Sequence, residues 1–173
     1  MKKLTSLDFK LLFELMKGAK TSDRKIAKAL GVSQPTVTRR RKLVEEELVD
    51  GYTVVPKWRK LGYEMLAITF VKSKPILGLK SNYKLAHEKG SKWLMEHPNI
   101  IMGGGCRGMG MDGFMISVHK SYSDFNRFLF EHKRYLGDQV EDVQTFLVDL
   151  GGQELLKPLH LKYLAETTME ETS

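Results

Sequence analysis

Hydrophobic residues recur at helical spacing in the first third of the chain and alternate through much of the rest. Leu7, Leu11, Leu12 and Leu15 form an apolar stripe that predicts a helix over 7–17. Thr5 or Ser6 caps it, and Asp8 sits in the first turn, where a negative charge suits the helix dipole. Ile26, Ala27 and Leu30 give a second helix its apolar face, with Ser22 as its cap. Gly31 ends that helix, because glycine tolerates the left-handed conformation a sharp helix end needs. Ser33 opens a third helix with Pro35 in its first turn, where a missing N–H costs nothing. This helix continues through Glu45–Glu47 with Val37 and Val44 turned inward. The stretch Leu48–Val55 then changes period, and Asp50-Gly51 between β-prone residues predicts a strand pair.

Pro56 to Gly62, with Trp58 and three basic residues, reads as a short linker. From Tyr63 the pattern changes. Met65–Val71 is a predicted strand with Leu66, Ile68 and Phe70 on one face, and Asn82–Glu96 a helix with Ala86, Trp93 and Leu94 inward. Ile100–Met102 begins a second strand, and Phe114, Ile116 and Val118 alternate with Met115, Ser117 and His119 in a third. Ser121 or Ser123 caps a helix carrying Phe125, Phe128, Leu129, His132 and Leu136, and Phe146, Val148 and Leu150 mark a fourth strand. The order β-α-β-β-α-β predicts a ferredoxin-like sandwich, an antiparallel sheet with helices on one face. Leu155–Ala165 adds a short helix, and the polar end Glu166–Ser173 is expected to fray. The fold class is therefore α+β: a winged helix-turn-helix domain over 1–55, a linker over 56–63, a ferredoxin-like domain over 64–152 and a C-terminal extension over 153–173.

Charge sharpens this picture. The chain of 173 residues carries a net charge of +7. Residues 1–60 hold 15 Lys and Arg against 7 Asp and Glu, whereas residues 61–173 hold 13 against 14. All the excess positive charge lies in the helical third, the footprint of polyanion binding by counterion release. No basic amphipathic helix with a broad aromatic face is present there, so double-stranded DNA is a better partner than a membrane. In a helix-turn-helix the second helix of the pair enters the major groove with its N-terminal side chains at base edges. Ser33, Gln34, Thr36 and Thr38 offer uncharged hydrogen-bonding groups there, and Arg39, Arg40, Arg41 and Lys42 supply positive charge.

Cys106 is the only cysteine, which excludes an intrachain disulfide and argues against a cysteine-based zinc site. His87, His97, His119, His132 and His160 are scattered, none paired with another at metal-ligand spacing, and His132 falls on an apolar stripe as a core histidine would. No cofactor or metal is expected. Asp8, Lys10 and Glu14 make the N-terminus too polar for a signal peptide, and no run of about 18 apolar residues exists to span a bilayer, so a cytoplasmic protein is expected.

A winged helix-turn-helix followed by βαββαβ resembles the leucine-responsive regulatory protein/AsnC (feast/famine) family of transcription regulators. The residues that carry the likeness are Leu7-Asp8, Leu11-Leu12, Leu15, Ile26-Ala27, Leu30-Gly31-Val32-Ser33, Val37 and Arg39-Arg40, continued by Gly51-Tyr52-Thr53 and Leu61-Gly62-Tyr63. The resemblance covers residues 5–72 closely and the remainder by element order. It implies a DNA-binding N-terminal domain and a C-terminal domain that makes a homodimer or higher oligomer and often binds a small effector, commonly an amino acid. Two positions depart from the family pattern. Members usually have a glycine between the third helix and the wing, where Glu47 here runs straight into Leu48, and an apolar residue is usual where Arg41 stands.

Gly103–Gly113 holds six glycines in eleven residues and matches G-x-G-x-x-G twice. Dinucleotide binding would need a helix next, and a strand follows, so that reading fails. By the resemblance this stretch is the hairpin between the second and third strands, which approaches the effector. Arg107 and Asp112 suit a carboxylate and an ammonium group, Gly108 and Gly110 allow close backbone approach, and Met109 favours an apolar ligand. The competing role for these glycines is in bends and bulges alone. Two other functions fit the domain order: a tetrapyrrole (siroheme) decarboxylase-like enzyme, and an architectural protein that coats DNA. The basic N-terminal third is unneeded for the first, and Gln34, Thr36 and Thr38 weigh against the second.

Overall fold

The computed structural model describes residues 3–75, 80–152 and 156–170. The chain folds as two units, one of residues 1–55 with 158–173 and one of residues 56–157.

The first unit is helical: α1 (Ser6–Lys17), α2 (Asp23–Leu30) and α3 (Gln34–Leu48), joined by α6 (Lys162–Glu170) from the far end of the chain. Leu11, Leu15, Ile26, Ala27, Val37 and Val44 form one buried cluster, and each large apolar side chain in it contributes about 1.5–3 kcal/mol. Thr5 caps α1: its N–H and its hydroxyl both donate to Asp8 Oδ2, at 2.7 and 2.8 Å. Ser22 and Ser33 cap α2 and α3, and Gly31 closes α2 at φ 66°, in the left-handed region. The C-terminal extension returns as α6 to lie against α1, with Ala165 fully buried. Helix therefore runs into the tail that was expected to fray. Leu155, where that helix was expected to start, and Glu171–Ser173 lie outside the described residues.

The predicted wing does not form. Val49 to Lys57 contains no strand, because α3 runs through Leu48 and leaves Val49 alone before Asp50-Gly51. One residue cannot make the first arm of a hairpin. Tyr52 instead donates its hydroxyl to Glu45 on α3 at 2.7 Å.

The second unit is the ferredoxin-like sandwich: β1 (Met65–Ser73), α4 (Lys80–Glu96), β2 (Ile100–Gly108), β3 (Met111–His119), α5 (Tyr122–Leu136) and β4 (Val140–Asp149). The sheet is antiparallel in the order β2-β3-β1-β4. One face is covered, where Ala67 and Met115 pack against Trp93, Phe125, Phe128 and Leu136. The side chain of Ala86 lies outside the described residues. The other face is apolar and open in part, with Val118 buried there. There Leu66 pairs with Val118 and Val148, Ile68 with Ile116 and Phe146, and Phe70 with Phe114. Phe146 keeps 62% of its surface exposed. Among the described residues no helix is long and apolar enough to cross a membrane.

Candidate nucleic-acid interface and ligand cavity

Helix α3 packs Val37 and Val44 into the first unit, which decides what its other residues can do. Arg39 and Lys42 lie away from that stripe. Both are exposed, as are Ser33, Gln34 and Thr38, and the side chains of Gln34, Arg39 and Lys42 have no hydrogen-bond or ionic partner among the described residues. Ser33 and Thr36 bond to each other through their hydroxyls at 2.8 Å. This surface carries donors and acceptors at the start of a rigid helix and two cations along its exposed face, the chemistry that reads base edges and phosphates.

Arg40 and Arg41 are placed differently. Each is three or four residues from both Val37 and Val44, so both flank the buried stripe rather than oppose it. Arg40 donates to Asp8 Oδ2 at 3.2 Å, and that carboxylate is fully buried. Arg41 donates to Asp23 and Glu45, both at 2.9 Å, and to the carbonyls of Thr21 and Ala19. Bonds to Glu45 and then Asp23 hold its guanidinium charged far above the ordinary range. The two arginines thus belong to the internal structure of the unit. Conversely, α2 exposes Arg24, Lys25 and Lys28, which the sequence motif did not single out. Their signal was the charge excess of the whole segment.

In the second unit the glycine-rich stretch is mostly strand. Gly108 pairs with Met111, so Met109-Gly110 is a two-residue hairpin turn with φ of 51° and 75°. Both values are positive, as a type I′ turn requires, and a methionine at the first position is uncommon. Asp112 accepts from the N–H and hydroxyl of Ser73, at 3.0 and 3.1 Å. Arg107, Gly108, Met109 and Gly110 are exposed on the hairpin. A cavity of about 740 Å³ lies on the helix side of the sheet, walled by Trp93, Leu94, Met115 and Leu136, with Lys72, Ser73 and Glu141 among its polar groups. Of the five hairpin residues named from sequence, only Asp112 lines it.

Three histidines enclose the aromatic core beside this cavity. His97 stacks on Trp93 with ring centroids 4.0 Å apart, and His132 meets the same indole edge-on at 4.8 Å. Burial, and then the neighbouring His97, push the His132 pKa down to about 4. Burial also lowers His119, whose Nε2 lies 2.8 Å from Ser117 Oγ and whose Nδ1 lies 3.8 Å from Asp124. This serine–histidine–carboxylate sequence has the order of a hydrolytic triad, but Ser117 is fully buried and no substrate can reach it. It is a core polar network. Among the described residues no group of three His, Cys, Asp or Glu can hold a metal ion.

Residues 4–44 match the AsnC-type helix-turn-helix domain. The HTH-type transcriptional regulator LrpA of Pyrococcus horikoshii is 40% identical over 68 residues, which cover 38% of this chain and 48% of that protein. LrpA of Pyrococcus abyssi is 42% identical over 62 residues, covering 35% and 44%. The chain thus spans about half the length of the curated relatives it matches. In fold the likeness extends through both units. A transcriptional regulator from Neisseria meningitidis, solved in complex with L-methionine, superposes with a TM-score of 0.76 at 18% identity, over 94% of this chain and 99% of that one. AsnC of E. coli gives 0.66 at 19% identity, over 91% and 98%.

Proposed function

We propose, from an N-terminal domain that belongs to the AsnC-type helix-turn-helix family, that this chain is a sequence-specific, DNA-binding transcription regulator and not an enzyme. The observation that carries the reading is the exposed face of α3, where the side chains of Gln34, Arg39 and Lys42 have no partners among the described residues. Gln34 and Thr38 read base edges, Arg39 binds guanine or phosphate, and Lys42 binds phosphate. Lys25 and Lys28 on α2 suit the backbone, which the first helix of the pair crosses. The regulator works in the cytoplasm.

It works as a homodimer or higher oligomer. The open sheet face supports this, because Leu66, Ile68, Phe70, Ile116 and Phe146 form an apolar surface of the kind that a second copy covers. A small effector occupies the cavity beside Asp112. Its apolar walls and few polar groups suit an amino acid, and one structural relative holds L-methionine. Footprinting on genomic fragments tests the reading. A near-palindromic protected site, with half-sites about 10 base pairs apart or a multiple of that, is expected. Uniform protection of every fragment would refute sequence-specific regulation.

A further inference from the structure

Asp23, the first residue of α2, reaches two side chains of α3. Its Oδ2 accepts from the Thr38 hydroxyl at 2.7 Å, and its Oδ1 accepts from Arg41 at 2.9 Å. Those bonds, Thr38 first and Arg41 second, hold the Asp23 carboxyl below its ordinary pKa, so it stays charged at neutral pH. Arg41 is tied down further. With Asp23, Glu45 and the carbonyls of Thr21 and Ala19, four of its N–H donors point into the protein, out of about five that a guanidinium has. Tyr52 closes the outer end of the network on Glu45. The Thr38 hydroxyl has only protein acceptors within reach, Asp23 and, at 3.2 Å, the Gln34 carbonyl.

A cation in the middle of a recognition helix ordinarily finds a phosphate, and each such contact adds affinity that is blind to sequence. Here the cation is cancelled by two carboxylates on the protein side. Resting on the DNA-binding reading above, we infer that Asp23, with Glu45, is a specificity-determining residue that withholds Arg41 and the Thr38 proton from DNA. The helix then meets DNA with Arg39 and Lys42 as its free cations, and Thr38 offers its methyl group and its lone pairs. Random DNA is bound less tightly for want of one phosphate contact, and the ratio of specific to random binding rises.

The test measures binding of the full chain to a random-sequence duplex between about 50 and 200 mM salt, and to its own operator. Four proteins are compared: the parent, Arg41→Gln, Asp23→Asn/Glu45→Gln, and that double variant with Arg41→Gln added. Arg41→Gln is expected to leave the salt slope as in the parent. The double variant is expected to steepen it by about 0.9, the value of one phosphate, and to lower the specificity ratio. Adding Arg41→Gln is expected to restore the parental slope, which separates a freed arginine from the mere loss of negative charge. Circular dichroism at the assay temperature shows which variants are folded. If the double variant does not fold, Arg41→Gln alone decides the matter. A shallower slope in that variant would mean that Arg41 already contacts phosphate, and would overturn the inference while leaving the DNA-binding reading intact. A gain that persists in the triple variant would overturn it also. A parent that bound no DNA would overturn both.

Discussion

The guanidinium of Arg40 lies 3.2 Å from the carboxylate of Asp8, a side chain with no exposed surface at all. The same oxygen accepts the N–H and hydroxyl of Thr5, so one carboxylate both caps α1 and clamps α1 to α3. An ion pair of this kind is worth little against an apolar replacement of both partners, but losing one partner strands a buried charge. Arg40→Met is therefore expected to destabilise the first unit by about 3 kcal/mol, the low end for a buried pair because Arg40 is itself partly exposed. Thermal melts by circular dichroism check this. At a temperature where the variant is folded, its DNA salt slope should equal the parent's, and a reduced slope would return Arg40 to the phosphate contacts.

Arg39 and Lys42 are expected to behave differently from Arg40 and from each other. Lys42→Ala should weaken binding to all sequences alike and lower the salt slope by about 0.9. Arg39→Ala, if its guanidinium pairs with a guanine, should cost about 1–3 kcal/mol of discrimination at one position of the site. Binding of a panel of single-base operator variants separates the two cases.

The open sheet face makes a prediction about assembly. Phe146 is exposed on that face, with its ring edge-on to Phe70 at 6.4 Å. Phe146→Glu puts a charge on an exposed position, so the fold should survive while a dimer joined there dissociates. Sedimentation velocity is expected to give a dimer or larger for the parent and a monomer for the variant. An unchanged distribution would exclude this face.

Acid should loosen the second unit first. The His132 pKa falls from 6.5 to about 4 on folding, so the unfolded chain binds its proton at higher pH than the folded one. Stability is then full above about pH 6.5 and declines as pH falls towards 4, where the loss reaches on the order of 3 kcal/mol. His119, lowered by burial, acts in the same direction. Both tryptophans, Trp58 and Trp93, lie in this unit, so urea melts followed by their fluorescence read it alone. His132→Phe should flatten the dependence between pH 7 and pH 5.

The cavity can be filled without strain. Gly90 lines it, and a Cβ added there meets no atom within 4 Å. Gly90→Leu should leave α4 intact or better, since leucine favours a helix over glycine by nearly 1 kcal/mol. Amino acids are expected to change Trp93 fluorescence in the parent by filling the cavity, and to leave it unchanged in Gly90→Leu. A full response in this variant would place the effector elsewhere.

Periodicity gave the elements, because an apolar stripe or alternation survives in any solvent-facing helix or strand. Val37 and Val44 at a spacing of seven fixed the buried face of α3, and Leu66, Ile68 and Phe70 fixed one face of β1. The same spacing places Arg40 and Arg41 beside the buried valines. The run of charge Arg39–Lys42 outweighs that spacing as a local signal. Two features had no local signal. The position of α6 against α1 depends on a contact between the two ends of the chain, and the aspartates that hold Arg40 and Arg41 lie 32 and 18 residues away. The wing that Asp50-Gly51 predicts is absent because α3 runs through Leu48 and leaves no first strand before that turn.

The most direct test of the account is competition between the protein's own upstream DNA and random DNA at moderate salt, with Gln34→Ala beside the parent. The account predicts that the parent prefers one fragment by about a thousandfold or more, and that Gln34→Ala loses much of that preference while keeping its affinity for random DNA. Equal binding to every fragment by both proteins would contradict it, because the exposed polar start of α3 would then read nothing.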